Sequence, residues 1–500
     1  MTQPPGRKAI VIGAGLGGIG ASVSLAAAGW DVEVFEKNAH AGGKLNLLQR
    51  EGFSFDLGPS ILTMPQVFER LCARAGKRLA DYVEIQTVTP HWRNFFEDGT
   101  VIDLHPSAAE TVAHSPSLGP QDRTDLESFL AYSRRLYEKS TPGYFDLGLD
   151  TVREMVRHQG VISALLDFDL FSTMDAGVGR RVKNQHLREV LDYFVKYVGS
   201  SPFHAPGVLN LMAHVQSEFG LWYVKGGLYN LALGLARLMV DAGAKLHTGA
   251  EVVEILRDGG RAAGVRLADG SERRADVVVS NMEVIPAHRR LLGEGEAELR
   301  RFDRFEPACS GLVLHLGTDR IYPQLAHHNF LYSKNPREHF ETVFRKRQLP
   351  GDPTIYLVAP TRSDPSQAPP GCDNLKILPH IPYIQDPPFG PEDYGRLRER
   401  VLDKLERMGL TDLRRHVIFE HMWTPDDIQK LYYSNCGAIY GVVSDRRKNQ
   451  GFKAPKKSDR WEGLWFVGGS VNPGGGMPMA LLSGQMVADR ILGQKGNAKP

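Results

Sequence analysis

The order of apolar and polar positions predicts a parallel βαβ unit at the start of the chain. Ala9-Ile10-Val11-Ile12 is a short apolar run of the kind that forms a buried parallel strand. A glycine-rich turn follows this run, and a helical segment then continues to about Gly29, a residue suited to a C-cap. The segment Asp31–Glu36 is predicted to form the second strand.

Helical periodicity dominates the region from about residue 122 to 219. Apolar residues recur at i, i+3, i+4 and i+7 over 125–139 and 184–197, which predicts two amphipathic helices. Between them, residues 161–171 are dense in large apolar side chains, and basic residues follow at 180–183. This combination is one signature of an interfacial membrane helix, and a lid helix packed in the core explains it equally well.

Strand patterns return after the glycine pair at 226–227. An amphipathic helix and a strand at 244–248 precede three further strand patterns at 251–257, 263–268 and 276–280. Turn residues such as Asp-Gly separate these three, which predicts a β-meander. The whole segment is typical of the second half of a dinucleotide-binding sheet.

A third glycine-rich element lies near the end of the chain. An apolar strand at 463–467 leads into a glycine-rich loop at 468–478, and a helix follows from 479 to 492. Pro478 suits the first turn of that helix, and the backbone N–H groups around it form a donor site for an anionic oxygen. Two glycine-rich elements more than 400 residues apart predict one cofactor bound between the two ends of the chain.

The length of 500 residues predicts two or three lobes. The patterns divide the chain into three nucleotide-binding parts and two insertions. The three parts are residues 1–64, 220–285 and 461–500. The insertions are a helical, membrane-facing region at 65–219 and a mixed α/β substrate domain at 286–460.

Charge and cysteine content exclude several classes of protein. The net charge of +2 gives no case for nucleic-acid binding, and the four cysteines are scattered without metal-ligand spacing. Beyond the glycine-rich start, no uncharged apolar run approaches the ~20 residues of a membrane span. A basic tract at 446–460 is by default a solvated loop, and attraction to anionic lipid heads is the alternative. We expect a cytoplasmic protein without a metal site, peripherally associated with the inner face of the membrane.

The glycine-rich turn predicts the chemistry at the start of the chain. In the G-x-G-x-x-G pattern Gly13 allows the tight bend, Gly15 lets the backbone approach a pyrophosphate, and Gly18 lets the helix press on the strand. Glu36 ends the next strand, where an acidic residue holds a ribose hydroxyl. A carboxylate at this position argues against NADP, and the motif alone leaves NAD and FAD open.

Longer blocks of sequence resemble one known family. Residues 25–36 complete the pattern L-x-x-x-G-x-x-V-x-V-x-E, and Gly42-Gly43-Lys44 stands where that family usually has Gly-Gly-Arg. Residues 53–59, 222–227 and 467–478 resemble its further blocks. Together these blocks resemble the bacterial phytoene desaturases, FAD-dependent carotenoid desaturases among the amine-oxidase-like flavoproteins.

The resemblance implies a fold and a set of FAD ligands. The fold is of the α/β class, an interrupted Rossmann-like FAD-binding domain with an inserted α+β substrate domain and a helical lid. Lys44 would lie near the phosphates, Val252 would hold the adenine through its backbone, and the C-terminal residues would surround the flavin and ribityl chain. The implied FAD-binding residues are Gly13, Gly15, Gly18, Glu36, Lys44, Val252, Gly468, Gly469 and Met479.

The resemblance also implies an activity, the desaturation of a lipophilic carotenoid or apocarotenoid polyene such as phytoene or diapophytoene. No amino-acid side chain accepts a hydride, so the flavin carries that step. Asn472 departs from the histidine of many phytoene desaturases and is closer to relatives that act later in carotenoid pathways or on C30 chains. Within the class, the alternatives are a carotenoid terminal-methyl oxidase and a hydroxycarotenoid desaturase.

Two further classes stay open, a flavin amine oxidase and a non-enzymatic flavin- or lipid-binding carrier. An amine oxidase would cage its amine with aromatic residues, and Trp461 and Trp465 are the nearest candidates. Glu218, His327 and His328 are candidate proton acceptors by residue type and approximate location, and the sequence singles out no catalytic base. The terminal electron acceptor, oxygen or quinone, is also left open.

Overall fold

A computed structural model describes residues 7–160, 168–169 and 171–493 of the chain. At its centre lies a five-stranded sheet in which every neighbouring pair is parallel. From edge to edge its strands are Leu464–Phe466, Val277–Ser280, Lys8–Ile12, Asp31–Glu36 and Lys245–Thr248. The apolar run at 9–12 is therefore central and buried, as a strand covered on both faces requires. The predicted α/β class with an interrupted parallel sheet is confirmed.

The first and last helices lock the two ends of the chain together. Leu16–Ala27 packs on Met477–Ile491 through facing glycines. A Cβ at Gly20 would lie 2.4 Å from the carbonyl oxygen of Leu481, and one at Gly484 would lie 2.1 Å from that of Gly17. Larger side chains would push the helices apart, so these glycines set how closely the two glycine-rich elements approach.

A second, mostly antiparallel sheet of eight strands contains the strands of the predicted substrate domain. Seven strands lie in the order Val417–Trp423, Val313–Thr318, Asp373–Ile381, Ile355–Val358, His328–Leu331, Trp92–Phe95 and Val101–Leu104, and the eighth, Ser310–Gly311, pairs with Asp373–Ile381. The helix Pro391–Arg407 buries Leu397, Val401 and Leu405 in the apolar cluster of this sheet. Its strands come from both insertions, so the two insertions share one sheet.

The β-meander differs from the prediction in its third strand. It consists of Val252–Asp258, Arg261–Leu267 and Glu272–Arg274. Val277–Ser280 was predicted to belong to it and instead enters the central parallel sheet. The physical reason is its uninterrupted apolar run, which suits burial on both faces. A hairpin of Leu47–Arg50 with Phe53–Asp56 and a separate antiparallel pair of Ile85–Thr87 with Trp222–Val224 complete the strands.

Helices cover both sheets. The α-helices are Leu16–Ala27, Pro65–Arg74, Ala108–Ala113, Pro120–Ser140, Val152–Gln159, Met174–Gly179, Gln185–Asp192, Leu211–Phe219, Tyr229–Asp241, Val284–Leu291, Glu296–Leu299, Pro336–Glu341, Pro391–Arg407, Leu413–His416, Pro425–Tyr432 and Met477–Ile491. Of the segment 161–171, residues 161–167 and 170 lie outside the described residues, whereas Phe168 is buried and Phe171 is exposed. Within the described ranges, no helix combines the length and apolar character that crossing a bilayer demands.

Candidate functional site

A cavity of about 300 Å³ follows the carboxyl ends of the parallel strands, and we refer to it as the central cavity. This edge is where open α/β sheets bind nucleotides. Residues from all three parts of the nucleotide-binding region line it, and glycines of the first and third parts leave backbone rather than side chains facing the space. These glycines are Gly13, Gly15, Gly17, Gly42, Gly43, Gly468, Gly469, Gly475 and Gly476.

The first glycine turn has a distinct steric reason at each position. Gly13 has a φ of +90°, which other residues adopt only under strain. A Cβ at Gly15 would lie 2.5 Å from the Asn281 side-chain nitrogen, and one at Gly18 would lie 2.1 Å from the carbonyl oxygen of Gly13. Gly18 therefore serves helix–strand packing and is not among the residues that line the cavity. The helix begins at Leu16, so its free N–H groups lie beside the cavity.

Glu36 is a buried carboxylate on the wall of the central cavity. It is 5% exposed and accepts hydrogen bonds from the backbone N–H groups of Ala14 at 2.8 Å and Asn38 at 2.9 Å. A carboxylate offers about four lone-pair sites, so these two bonds leave acceptor capacity free. Glu36 thus fixes the glycine turn and can also accept a ribose hydroxyl.

Val252 lines the cavity next to a group of charged and aromatic side chains. The Tyr433 hydroxyl donates to Glu251 at 2.8 Å. Two cations lie over the Tyr433 ring, with Lys37 4.1 Å and Arg290 3.8 Å from its centroid. This end of the cavity is therefore polar, and a hydrogen bond and two cation–π contacts hold its side chains in place. Such a surface suits an adenosine.

Lys44 lines the cavity but has protein partners. Its Nζ donates to Glu283 and to the carbonyl oxygen of Ala438, both at 3.1 Å, and to that of Ile439 at 3.3 Å. The charge that was predicted near phosphates is thus shared with Glu283, which also accepts from the Asn435 backbone N–H at 3.0 Å. The contact of Lys44 with phosphates stays a prediction.

The C-terminal loop closes the cavity opposite the first turn. Gly468 and Gly469 line it, and the Gly468 backbone N–H donates to the Ser483 hydroxyl at 2.7 Å. Met479 is not among the lining residues, whereas Met477 and Ala480 of the same helical turn are. Of the nine predicted FAD-binding residues, seven line this one cavity, and Gly18 and Met479 lie just behind its wall.

Sequence reasoning missed Asn281. Its side-chain oxygen accepts from the Gly18 backbone N–H at 3.1 Å, and its amide lies against Gly15 and Gly17. The residue directly follows the strand Val277–Ser280. A polar residue directly after an apolar parallel strand is the signal that could have found it.

Sequence reasoning also missed Lys376, whose side chain is buried at the cavity wall. Its Nζ donates to the Gly58 carbonyl oxygen and, at 3.0 Å, to the Ser60 hydroxyl. Burial lowers the pKa of Lys376 to about 8, with Asp56 acting in the opposite direction. Around it the lining is apolar and aromatic, with Val313, Leu378, Trp423, Ile439 and Tyr440.

The three candidate proton acceptors do not line the central cavity. Glu218 is exposed. His327 and His328 are buried at the start of a strand of the second sheet, where His327 bonds the Ser363 hydroxyl at 2.7 Å and His328 the Tyr356 hydroxyl at 2.9 Å. Burial lowers the pKa of His327 to about 3, so it is neutral near pH 7. Trp461 and Trp465 are likewise not among the lining residues, which include Trp423 and Tyr440.

Part of the basic tract is buried, which corrects the interpretation of 446–460 as one solvated run. Lys456 ion-pairs with Asp150, and Arg490 pairs with the same carboxylate at 2.7 Å. Asn472 donates to the Asp150 carbonyl oxygen at 3.3 Å and is fully buried. Asn472, which stands where many phytoene desaturases have histidine, therefore connects the C-terminal loop to the helical insertion.

The residues present fit a dinucleotide with a flavin. The glycines leave the wall free of side chains, and a Cβ at Gly15 or Gly17 would clash with the Asn281 side chain. The start of the first helix supplies backbone N–H donors, and Glu36 has lone pairs left to accept a further hydrogen bond. The apolar end around Leu378 and Trp423 suits a planar ring system and an apolar substrate. This arrangement offers room for an extended cofactor and an apolar surface at one end of it.

Comparison with known proteins agrees with this geometry. The family described as "Flavin containing amine oxidoreductase" matches residues 16–492. The chain is 56% identical to the 4,4'-diapolycopene oxygenase of Methylomonas sp, over 98% of this chain and 99% of that protein. It is 51% identical to a 4,4'-diaponeurosporene oxygenase of Staphylococcus aureus, over 97% and 98%. An oxidoreductase structure from Methanosarcina mazei superposes with a TM-score of 0.64 at 20% identity, covering 96% of this chain and all of the other.

Proposed function

The chain belongs to the flavin containing amine oxidoreductase family, and we propose that it oxidises a terminal methyl group of an acyclic carotenoid to an aldehyde. It is an FAD-dependent oxidoreductase, and its resemblance to the phytoene desaturase group is confirmed at this level. Desaturation was the main expectation from sequence, and methyl oxidation was its alternative. The oxygenase names of the two relatives favour that alternative.

One observation carries the proposal. The identity of 56% and 51% to the two oxygenases extends over nearly the whole chain, including both insertions. The insertions supply Val313, Lys376, Leu378 and Trp423 to the apolar end of the central cavity. Residues that select a substrate are therefore inside the region of similarity.

The roles of the chain's own residues follow from the cavity. When bound, FAD would supply the acceptor for the two hydride equivalents that leave the carbon as a methyl group and one water become an aldehyde and two protons. The lining glycines and Asn281 fix the position of the cofactor, and Val313, Leu378 and Trp423 form the apolar wall against which the reacting end of the polyene lies. The Nζ of Lys376 can hold or release a proton near neutral pH because burial places its pKa at about 8.

The test is product analysis. Purified protein loaded with FAD is mixed under air with vesicles that contain 4,4'-diaponeurosporene, and the products are identified by mass spectrometry. Methyl oxidation replaces two hydrogens by one oxygen, whereas desaturation removes two hydrogens and adds nothing. Desaturation without oxygen gain would overturn the proposal. An unchanged polyene beside bound FAD would point to the amine oxidase or carrier alternatives.

Two glycine variants test whether product formation depends on the bound cofactor. Gly15→Val places a side chain where Asn281 lies 2.5 Å from an added Cβ, and we expect loss of both FAD and product. Gly395→Ala is the matched control, because an added Cβ there meets nothing within 4 Å. Repeating the reaction without oxygen and with a quinone identifies the electron acceptor.

We also propose that the protein acts at the inner face of the membrane, where its polyene substrate is dissolved. Phe171 is 70% exposed, and Arg446 donates to its carbonyl oxygen at 3.0 Å. An exposed aromatic ring beside the basic residues Arg446, Arg447 and Lys448 supports contact with an anionic bilayer.

A further inference from the structure

A buried lysine lies within a group of four aromatic rings outside the central cavity, which we call the lysine cage. The Nζ of Lys196 is 4.8 Å from the ring centroid of Trp92, 4.9 Å from Tyr197, 4.5 Å from Phe330 and 4.2 Å from Tyr356. Lys196 is 4% exposed. Three of the rings come from strands of the second sheet and Tyr197 comes from the helical insertion, so the cage lies where these two parts meet.

The amine of Lys196 has no polar partner among the residues that the structure describes. Within the described ranges no carboxylate lies at ion-pair distance from Nζ, and its contacts there are to aromatic rings. Burial lowers the pKa of Lys196 well below its ordinary value. A buried amine without a hydrogen-bond acceptor is costly in free energy, and proteins seldom retain one without a use. In either protonation state the amine can donate an N–H.

The lysine cage adjoins the central cavity. Gly199, three residues after Lys196, packs on Tyr440, since a Cβ there would lie 2.4 Å from the Tyr440 ring. Tyr440 itself lines the central cavity. Tyr197 of the cage is only half-buried although its neighbours are core residues, so its ring borders open space. A compound that extends past Tyr440 from the cofactor would therefore reach the cage.

The chemistry of the cage defines its ligand. Phe330 and Tyr356 stack on each other, 4.8 Å apart, and with Tyr197 form an aromatic wall that suits a flat conjugated chain. An amine donor beside such a wall complements an acceptor oxygen at the end of the chain. A hydrocarbon end offers no acceptor, whereas an aldehyde end offers a carbonyl oxygen.

We propose that the lysine cage is a binding site for a polyene terminus that carries a carbonyl oxygen, with the Lys196 Nζ as its hydrogen-bond donor. The identity of the ligand rests on the proposed function, because an aldehyde is the product of methyl oxidation. The site gives the protein a preference for an oxidised end over an unoxidised one.

Binding measurements test the proposal without turnover. Dissociation constants of FAD-loaded protein for 4,4'-diaponeurosporene and for its terminal aldehyde are measured by quenching of tryptophan fluorescence in detergent. We expect wild-type protein to bind the aldehyde at least about tenfold more tightly, the size of one buried hydrogen bond. Lys196→Met should bring the ratio of the two constants close to one. An unchanged ratio in K196M, or no preference in wild-type protein, would overturn the proposal.

Control variants separate the cage from general effects. Lys404→Met removes another buried lysine, which bonds Asp352 at 2.7 Å in the substrate domain, and should keep the wild-type ratio. Lys196→Leu is a second donor-free variant in case K196M does not retain its flavin. Conversion of the hydrocarbon by wild-type protein is scored separately. If wild-type protein does not convert the hydrocarbon, the proposed function is wrong. The ratio of the two dissociation constants alone decides whether the cage selects a carbonyl.

Discussion

The side-chain oxygen of Asn281 accepts a hydrogen bond from the backbone N–H of Gly18 at 3.1 Å, across 263 positions of sequence. The two residues follow neighbouring parallel strands, so their contact depends on strand order. Through it, the end of Val277–Ser280 holds the glycine turn in the shape that the cofactor needs. We therefore expect Asn281 to contribute to FAD binding as much as the glycine motif does.

Asn281→Leu should weaken FAD binding at least about tenfold. The change leaves the Gly18 N–H without its acceptor, which costs about 1–3 kcal/mol for a buried group. The constant is measured by titrating apoprotein with FAD and following flavin fluorescence. Asn335→Ala removes an asparagine that caps the helix Pro336–Glu341 and should leave FAD affinity as in wild type. Equal affinities in N281L and wild type would contradict the role given to Asn281.

Lys376 should make stability rise at alkaline pH. Its pKa is about 8 in the folded protein and about 10.5 in the unfolded chain, so the unfolded state binds more protons between these values. The destabilising effect of burial is fully present below pH 8 and is relieved as pH rises toward 10.5. Relative to Lys376→Met, wild-type protein should gain roughly 2–3 kcal/mol in free energy of unfolding from pH 7 to 10.

The measurement is urea unfolding of both proteins at several pH values. Lys225→Met, which removes an exposed lysine paired with Glu84 at 3.2 Å, controls for general alkaline effects. A constant difference between wild type and K376M over this range would show that burial does not lower the pKa of Lys376.

Asp150→Asn should destabilise the protein by about 3–5 kcal/mol, because Lys456 and Arg490 would lose the carboxylate that both contact. Burial alone would raise the pKa of Asp150, and the two cations outweigh it and lower the pKa. The pairing therefore contributes above the unfolded pKa of 3.8 and is lost as pH falls through the lower folded value.

Free energies of unfolding in urea at neutral pH measure the effect of D150N. The matched variant Asp403→Asn removes an exposed partner of Arg414 and should cost less than about 1 kcal/mol. Similar losses in the two variants would mean that the buried cluster does not hold the C-terminal loop to the helical insertion.

Phe171→Ser should lower binding to anionic vesicles roughly tenfold, because inserting one phenylalanine ring into a bilayer contributes about 1.5–3 kcal/mol. Sedimentation with phosphatidylglycerol vesicles measures the bound fraction. Ile418→Ser changes another exposed apolar side chain, 51% exposed on the second sheet, and should bind as wild type does. A bound fraction that falls equally in both variants would argue against a membrane contact centred on Phe171.

Local motifs made much of the site predictable. The turn of Gly13, Gly15 and Gly18, the acid at Glu36 and the loop at 468–478 each need only contiguous residues and known turn chemistry. All three contribute to one cavity, as predicted from their spacing. The α/β class followed in the same way from the order of strand and helix patterns.

Residues that reach the site through strand order could not be predicted from local pattern. Lys376 is one charged position in a strand, and its placement against Gly58 depends on how the second sheet meets the first. The burial of part of the basic tract could not be predicted either, because the number of charges in a segment does not reveal that Lys456 pairs with Asp150 of the other insertion. The sequence assigns Val277–Ser280 as the third meander strand, whereas the observed third strand is Glu272–Arg274. Both segments follow the same Asp-Gly turn, so turn residues alone do not distinguish them.

The facing glycines of the first and last helices have a consequence for biosynthesis. The cavity wall formed by Gly13 and Gly15 is incomplete until Gly468 and Gly469 have been synthesised, more than 400 residues later. At about 5–20 residues per second, that interval lasts roughly half a minute to a minute and a half. During it the apolar strand Lys8–Ile12 lacks the helix that covers its glycine turn. FAD capture is therefore a late event in the life of each new chain, because the cavity is complete only after the last helix has been made.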